Sequence, residues 1–142
     1  MLQPWCLKGV VLDACRAATV SVLKKIMLFS KFDFVSHSGL PLNWKIDCDA
    51  LTDDDLNTLA FVISQKFKFG SVVGIPTGGI RLETALRPYI TTGPRLLVDD
   101  VLTTGKSMGE LYEDGDVGVV IFARGECPYW IYPLLKVNTF YV

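Results

Sequence analysis

Three short apolar runs, SVVGI at residues 71–75, RLLVD at 95–99 and VGVVIFA at 117–123, alternate along the chain with stretches whose apolar residues fall at helical spacing. Such runs, without polar alternation, are the mark of strands covered on both faces. Strands joined through helices run parallel, and the helices must then cover both faces of the sheet. The expectation is α/β, with a twisted parallel sheet and helices on both faces. The 142 residues are enough for a single domain, and 50% hydrophobic with 20% charged is ordinary for a chain that buries a core.

Thr52 followed by Asp53, Asp54 and Asp55 places carboxylates at the positive end of a helix, with Leu56, Leu59, Ala60, Ile63 and Phe67 as its buried stripe. The acid run reads as a cap rather than a metal site. A strand at Ser71 to Ile75, a glycine turn, a helix to about Arg87, a strand at Arg95 to Asp99, a short helix from Lys106 to Tyr112 and a strand at Val117 to Ala123 follow. Upstream, Val10, Val11, Ala14, Ala17, Ala18, Val22, Ile26 and Phe29 predict an amphipathic helix over about residues 8 to 29, although "MLFSKFDF" from Met27 also reads as the start of a compact domain. The layout predicted is an N-terminal helix (1–30), a hairpin around "HSGLP" forming a hood (31–50), the core (51–125) and a covering C-terminal strand (126–142) with Trp130, Ile131, Leu134 and Leu135.

A net charge of −1 and a pI near 5.7 give no basic footprint, so no nucleic-acid partner is expected. Lys8, Asp13 and Arg16 interrupt the apolar N-terminal stretch, which argues against an export leader and against a membrane span. Cys6, Cys15, Cys48 and Cys127 are widely spaced, with only His37 to join them, so neither zinc nor a disulfide framework is suggested and a cytoplasmic setting fits.

Two turns, "GIPTGGI" at 74–80 and "DDVLTTGKS" at 99–107, each follow a strand and precede a helix, which should bring them together at the carboxyl edge of the sheet. The "GKS" is not the end of a P-loop, because the glycine that motif needs five positions before Gly105 is Asp100. A turn entering a helix offers N–H groups to a phosphate, and Thr103, Thr104 and Ser107 add hydroxyls. Asp99 and Asp100 would repel a phosphate, so they should face sugar hydroxyls or a magnesium ion. The ligand implied is a ribose with phosphates at both ends.

"LLVDDVLTTGKSM" closely resembles the phosphoribosyl-diphosphate (PRPP) signature of type I phosphoribosyltransferases, and "FDFVSHSGLPLNWKID" is similar to a segment of the orotate phosphoribosyltransferases. The resemblance covers about residues 30 to 125. It implies transfer of the phosphoribosyl group of PRPP to a nucleobase, an orotate-like pyrimidine being favoured, with Mg²⁺ as cofactor and a homodimer as the assembly. By the same resemblance Asp99 and Asp100 hold the ribose hydroxyls and, through these or water, the metal. Thr103, Thr104, Gly105, Lys106 and Ser107 hold the 5′-phosphate, and Thr77, Gly78 and Gly79 the diphosphate. His37, Lys45, Thr103 and Arg124 face the base, Arg124 standing where orotate enzymes keep an arginine for the base's carboxylate.

One departure is plain. Only 18 residues, Ile80 to Leu97, separate the two motifs, where orotate enzymes insert a further strand and a long loop with catalytic basic residues. Either the sheet lacks a strand or Tyr89 to Thr91 forms a very short one. Arg81, Arg87, Arg95 and Lys106 are the local cations, and Arg81 and Arg87 are the catalytic candidates beside the two aspartates, from this chain or a partner copy. A regulator that binds PRPP or a nucleotide without turnover, or a structural remnant, are the alternative readings.

Overall fold

The computed structural model describes residues 27–31, 33–36 and 39–137. The predicted N-terminal helix lies almost wholly outside them, as does His37. Its expected end is not helical, because Phe29 opens strand β1 (Phe29–Ser30), which pairs antiparallel with β4 (Lys45–Ile46). Inside that pair, β2 (Phe34–Val35) meets β3 (Pro41–Leu42), so the predicted hairpin is present as two nested antiparallel steps. Phe29 docks this hood on the sheet, with its ring 6.0 Å from Phe122 and 6.2 Å from Trp44.

The main sheet is parallel, ordered β5 (Ser71–Gly74), β6 (Arg95–Leu102), β7 (Val117–Ala123) and β8 (Ile131–Lys136). Helix α1 (Asp53–Lys66) opens with a capping box in which Thr52 and Asp55 exchange hydrogen bonds, as its acid run implied. Leu56, Ala60 and Ile63 of α1 and Leu82 and Leu86 of α2 (Gly79–Leu86) pack with Leu96, Val98, Val119 and Ile121 on one face. On the other face Met108 of the short α3 (Lys106–Leu111) packs with Leu97, Val120 and Ile131. Helices therefore cover both faces, as the alternation predicted.

Two features of the layout have physical causes, the first deciding between the alternatives left open for the interval between the two motifs and the second departing from the expectation. The interval after α2 is filled by a 3-10 turn (Arg87–Tyr89) and a loop held by hydrogen bonds from Thr91 N–H to Phe69 O (2.9 Å) and Gly70 N–H to Pro94 O (3.0 Å), so the sheet lacks the extra strand. The C-terminal strand does not lie across the core but extends it, since β8 pairs in parallel with β7. Its crossover, residues 124–130, holds no helix, although parallel connections usually need one. Trp130 stacks on Tyr112 (4.3 Å between centroids) and lies over Gly118, where a Cβ would come within 2.8 Å of the indole, and so covers the strand a crossover helix would cover.

Arg95, offered above as a local cation for the site, sits instead at the start of β6 and is committed to Asp116 through Nε (3.1 Å) and Nη2 (2.6 Å), with a further bond to Leu111 O. The guanidinium holds the Asp116 carboxyl below the usual carboxylate range. A depressed carboxylate contributes stability above its unfolded pKa and loses it as pH falls through the folded value. Asp116→Asn is accordingly expected to cost about 1–3 kcal/mol near neutral pH, with variant and parent converging in acid, as urea denaturation at several pH values would read.

Candidate functional site

The carboxyl ends of β5 and β6 open on a cavity of about 550 Å³. Its walls are Ile75–Gly78 after β5, the stretch Asp99–Met108, and Lys45–Asp49 of the hood. The two motifs singled out in the sequence thus share one space, and the hood gives a third wall that includes Lys45, expected to face the base.

Asp99 and Asp100 lie within β6, which runs three residues beyond the predicted end at Asp99. Consecutive strand residues point to opposite faces, so the two carboxylates straddle the sheet. Each uses one oxygen to accept from the next amide, Asp100 N–H to Asp99 Oδ1 (2.9 Å) and Val101 N–H to Asp100 Oδ1 (2.7 Å). Burial first, and then the charge of Asp100, push the Asp99 carboxyl up to about 7.

Gly78 is where the two turns meet: a Cβ built there would strike the Asp100 carboxylate. The Pro76–Thr77 peptide before it is cis. Among the described residues the amides of Thr77 and Gly78 have no backbone acceptor and remain open to a ligand. Gly79 is not brought into the cavity. It is buried in the first turn of α2, donates its N–H to Ile75 O (2.8 Å), and lacks a side chain because one would hit Val98 O.

In the second loop Gly105 takes φ 74°, the left-handed region glycine favours, and caps α3. The amides of Thr104, Gly105, Lys106 and Ser107 likewise have no backbone acceptor among the described residues, and all four residues line the cavity with Thr103. Helix α3 has only six residues, so converging amides rather than a long helix dipole make this loop a suitable anion cradle.

The cations are distributed differently from the expectation. Lys45 lines the cavity but pairs with Asp47 (3.0 Å), and Lys106 lines it 81% exposed. Arg81 borders only a small adjoining pocket of about 80 Å³, held by Asp53 (2.9 Å) and Leu51 O (2.8 Å). Arg87, at the far end of α2, pairs with Glu83 (2.8 Å) and lines neither pocket. Arg124 is also outside: its guanidinium stacks on Trp44 (4.0 Å), Nη2 donates to Trp44 O (3.0 Å), and Nη1 is buried without a partner. Burial lowers its pKa from the ordinary guanidinium value.

Sequence reasoning missed Asp47, Cys48 and Asp49. Asp47 caps a 3-10 turn (Cys48–Ala50) by accepting from Asp49 N–H, and that turn delivers all three residues to the cavity. The Asp before a short polar turn was the available signal. The Cys48 thiol is pushed up to about 12 by burial, then by the charges of Asp100, Asp47, Asp49 and Asp99, which places the negative field of four carboxylates at one sulfur.

For Mg²⁺, Asp99 and Asp100 offer the hard oxygen donors the ion prefers. No three acidic, His or Cys side chains among the described residues converge to hold a metal, so the two aspartates would hold such an ion only together with ligand oxygens and water.

No protein-family model matches the sequence, and no curated protein matches it. Solved structures do match the backbone. The orotate phosphoribosyltransferase of Aeropyrum pernix superposes with a TM-score of 0.62 at 22% identity, over 82% of this chain and 92% of that one. That of Francisella tularensis gives 0.52 at 17%, over 84% and 85%. The Mycobacterium tuberculosis enzyme, in complex with inorganic phosphate, gives 0.53 at 13%, over 85% and 95%. Likeness at these identities speaks to architecture, and function must be argued from the site. The chain thus has the α/β fold of the orotate phosphoribosyltransferases it is similar to, with a four-stranded parallel main sheet among its described residues.

Proposed function

We propose that this chain binds PRPP and transfers its phosphoribosyl group to a nucleobase, releasing diphosphate. The observation that carries the reading is the meeting, in one cavity, of two loops with open amides and a pair of carboxylates between them. The amides of Thr104 to Ser107 suit the 5′-phosphate, those of Thr77 and Gly78 the diphosphate, and the carboxylates the ribose hydroxyls that donate to them. In the reaction the bond from the anomeric carbon to the diphosphate oxygen breaks, its electron pair leaving with the oxygen. A ring nitrogen of the base forms the new bond, and the sugar carries oxocarbenium character between the two events. Proton transfer is a small part of this chemistry, so the work of the side chains is to align donor and acceptor, an effect worth up to about 7–11 kcal/mol of barrier. Mg²⁺, when bound, would neutralise charge on the departing diphosphate.

A second reading is favoured by one observation. Arg81 and Arg87 are committed to Asp53 and Glu83, which leaves the diphosphate side short of free cations within the chain. A binder of PRPP or a nucleotide without turnover would need nothing more. Diphosphate release from PRPP, followed with orotate, uracil and the common purines as acceptors, separates the two. Release with a restricted set of bases supports transfer, PRPP or nucleotide binding without release supports the regulator, and binding of neither PRPP nor a nucleotide ends both.

We also propose a homodimer in which the missing cation comes from the second copy. Arg87 is paired with Glu83 but 65% exposed, so a diphosphate bound to a second copy could compete with Glu83 for it across an interface. Mixing a chain carrying Asp99→Asn and Asp100→Asn with one carrying Arg87→Ala should then restore about a quarter of the parent activity, because about half the dimers are hybrids and one of their two sites is intact. No recovery on mixing, or a fully active monomer, would sink the proposal.

A further inference from the structure

We infer that the acceptor is a neutral base bearing an exocyclic amino group rather than an anionic, carboxylate-bearing one. This rests on the phosphoribosyl-transfer reading and names its acceptor. Ribose and phosphates use the loops at 76–78 and 103–107 and the carboxylates between them, which leaves Lys45–Asp49 as the wall for a base.

That wall is acidic. The Lys45 ammonium is neutralised by Asp47 at 3.0 Å, while the Asp49 carboxylate has no partner among the described residues other than its place in the cavity. Cys48 stands between the two aspartates; burial first, and then the nearby carboxylates, disfavour its thiolate, and the same carboxylates would repel an anion brought to this wall. A like charge set against a ligand is a means of rejection, whereas a carboxylate accepts well from an aromatic amino group.

The cation needed to reverse this preference is withheld. The arginine that the resemblance would give to an acceptor carboxylate, Arg124, is turned under Trp44, bonded to its carbonyl and stacked on its ring. Its Nη1 is buried without a partner, and no part of Arg124 lines the cavity. Arg81 is held by Leu51 O and Asp53, and Lys106 belongs to the phosphate loop. An incoming carboxylate on this wall meets like charge and no unpaired cation, Lys106 lying on the phosphate loop, and an amino group meets acceptors.

Calorimetric titration of the full chain with cytidine, adenosine and orotidine 5′-monophosphates, and with PRPP in parallel, tests this. The tighter-binding of the two amino-bearing nucleotides is expected to exceed the orotidine nucleotide by about tenfold, a difference of roughly 1.4 kcal/mol. Asp49→Lys, on an exposed side chain, should erase that preference, and Asp49→Asn should reduce it in the same direction should the reversal perturb folding. An orotidine nucleotide that binds as tightly as the amino-bearing ones, or a preference that neither substitution moves, overturns the inference. PRPP binding with no nucleotide binding also overturns it while leaving the donor site standing. Failure of PRPP itself to bind removes the transfer reading and the inference together.

Discussion

Replacing Asp99 and Asp100 together by asparagine should abolish PRPP binding while making the protein more stable above neutral pH. Each carboxylate has one oxygen occupied by a backbone amide and the other available to ribose. A hydrogen bond to a charged group contributes about 1.5–3 kcal/mol, so losing two lowers affinity by at least about 100-fold. The stability effect has the opposite sign. Burial and the neighbouring charge push Asp99 up to about 7, whereas an unfolded aspartate ionises near ~4. Between those values the folded chain holds a proton that the unfolded chain has lost. Stability from this group is therefore fully present below ~4 and is lost as pH rises through about 7. The double variant should lack that loss and gain on the order of 2 kcal/mol at pH 8, read as a higher urea midpoint. Unchanged PRPP affinity in the folded variant would end the ribose assignment. A variant less stable than the parent at pH 8 would show that the pair is structural instead. Acidic ligand sites are commonly held at such a cost to the empty fold, which is why the two readouts belong in one experiment.

What the sequence disclosed follows from which interactions are local. The runs at 71–75, 95–99 and 117–123 were legible because a strand buried on both faces has to be apolar throughout, whatever its neighbours are. The Thr52–Asp55 cap was legible because capping is completed within four residues. The strand β6 was read as ending at Asp99, but it continues to Leu102 because Val101 and Leu102 find Phe122 and Ala123 beside them. Nothing within β6 announces that partner. The parallel placement of β8 was hidden for the same reason. Its crossover is too short for a helix, and the Tyr112–Trp130 stack that takes the helix's place joins residues with no common period.

The site divides along the same line. Both phosphate loops and the acid pair were visible as contiguous motifs. Of the hood wall only Lys45 was named, since Asp47, Cys48 and Asp49 reach the cavity through the pairing of β1 with β4 and the cap that Asp47 makes. The arginines were the least legible element. A basic residue's position in the sequence does not say whether its charge is free: Arg81, Arg95 and Arg124 each found a partner that only tertiary structure supplies, whereas Arg87 pairs locally with Glu83 four residues before it. For Arg124 the partner is 80 residues away.

Gly105→Val should remove nucleoside monophosphate binding at a modest cost in stability, because the glycine holds a backbone conformation rather than a packing position. At φ 74° a non-glycine residue costs about 1–2 kcal/mol, and β-branching adds to that. The built Cβ also comes within 3.3 Å of Leu102 Cδ1, which has to give way. Relaxing either strain turns the peptide units on both sides of residue 105, and these carry the open amides of Gly105 and Lys106. Affinity for a nucleoside monophosphate, measured by calorimetry, should fall by at least about 100-fold, as expected when two or more charge-assisted bonds are lost. The loop is largely exposed, so the loss of stability should stay near 1–3 kcal/mol. Gly109→Ala is the control. It lies four residues further on, inside α3, where a Cβ meets nothing within 4 Å, and should gain roughly 0.5–1 kcal/mol while leaving binding as it was. A Gly105→Val protein that binds as tightly as its parent would reduce the loop to a connection between β6 and α3. One that unfolds outright would mean the left-handed turn is needed to close the core beside Leu102, and Gly105→Ala, with the smaller strain, would then carry the binding test.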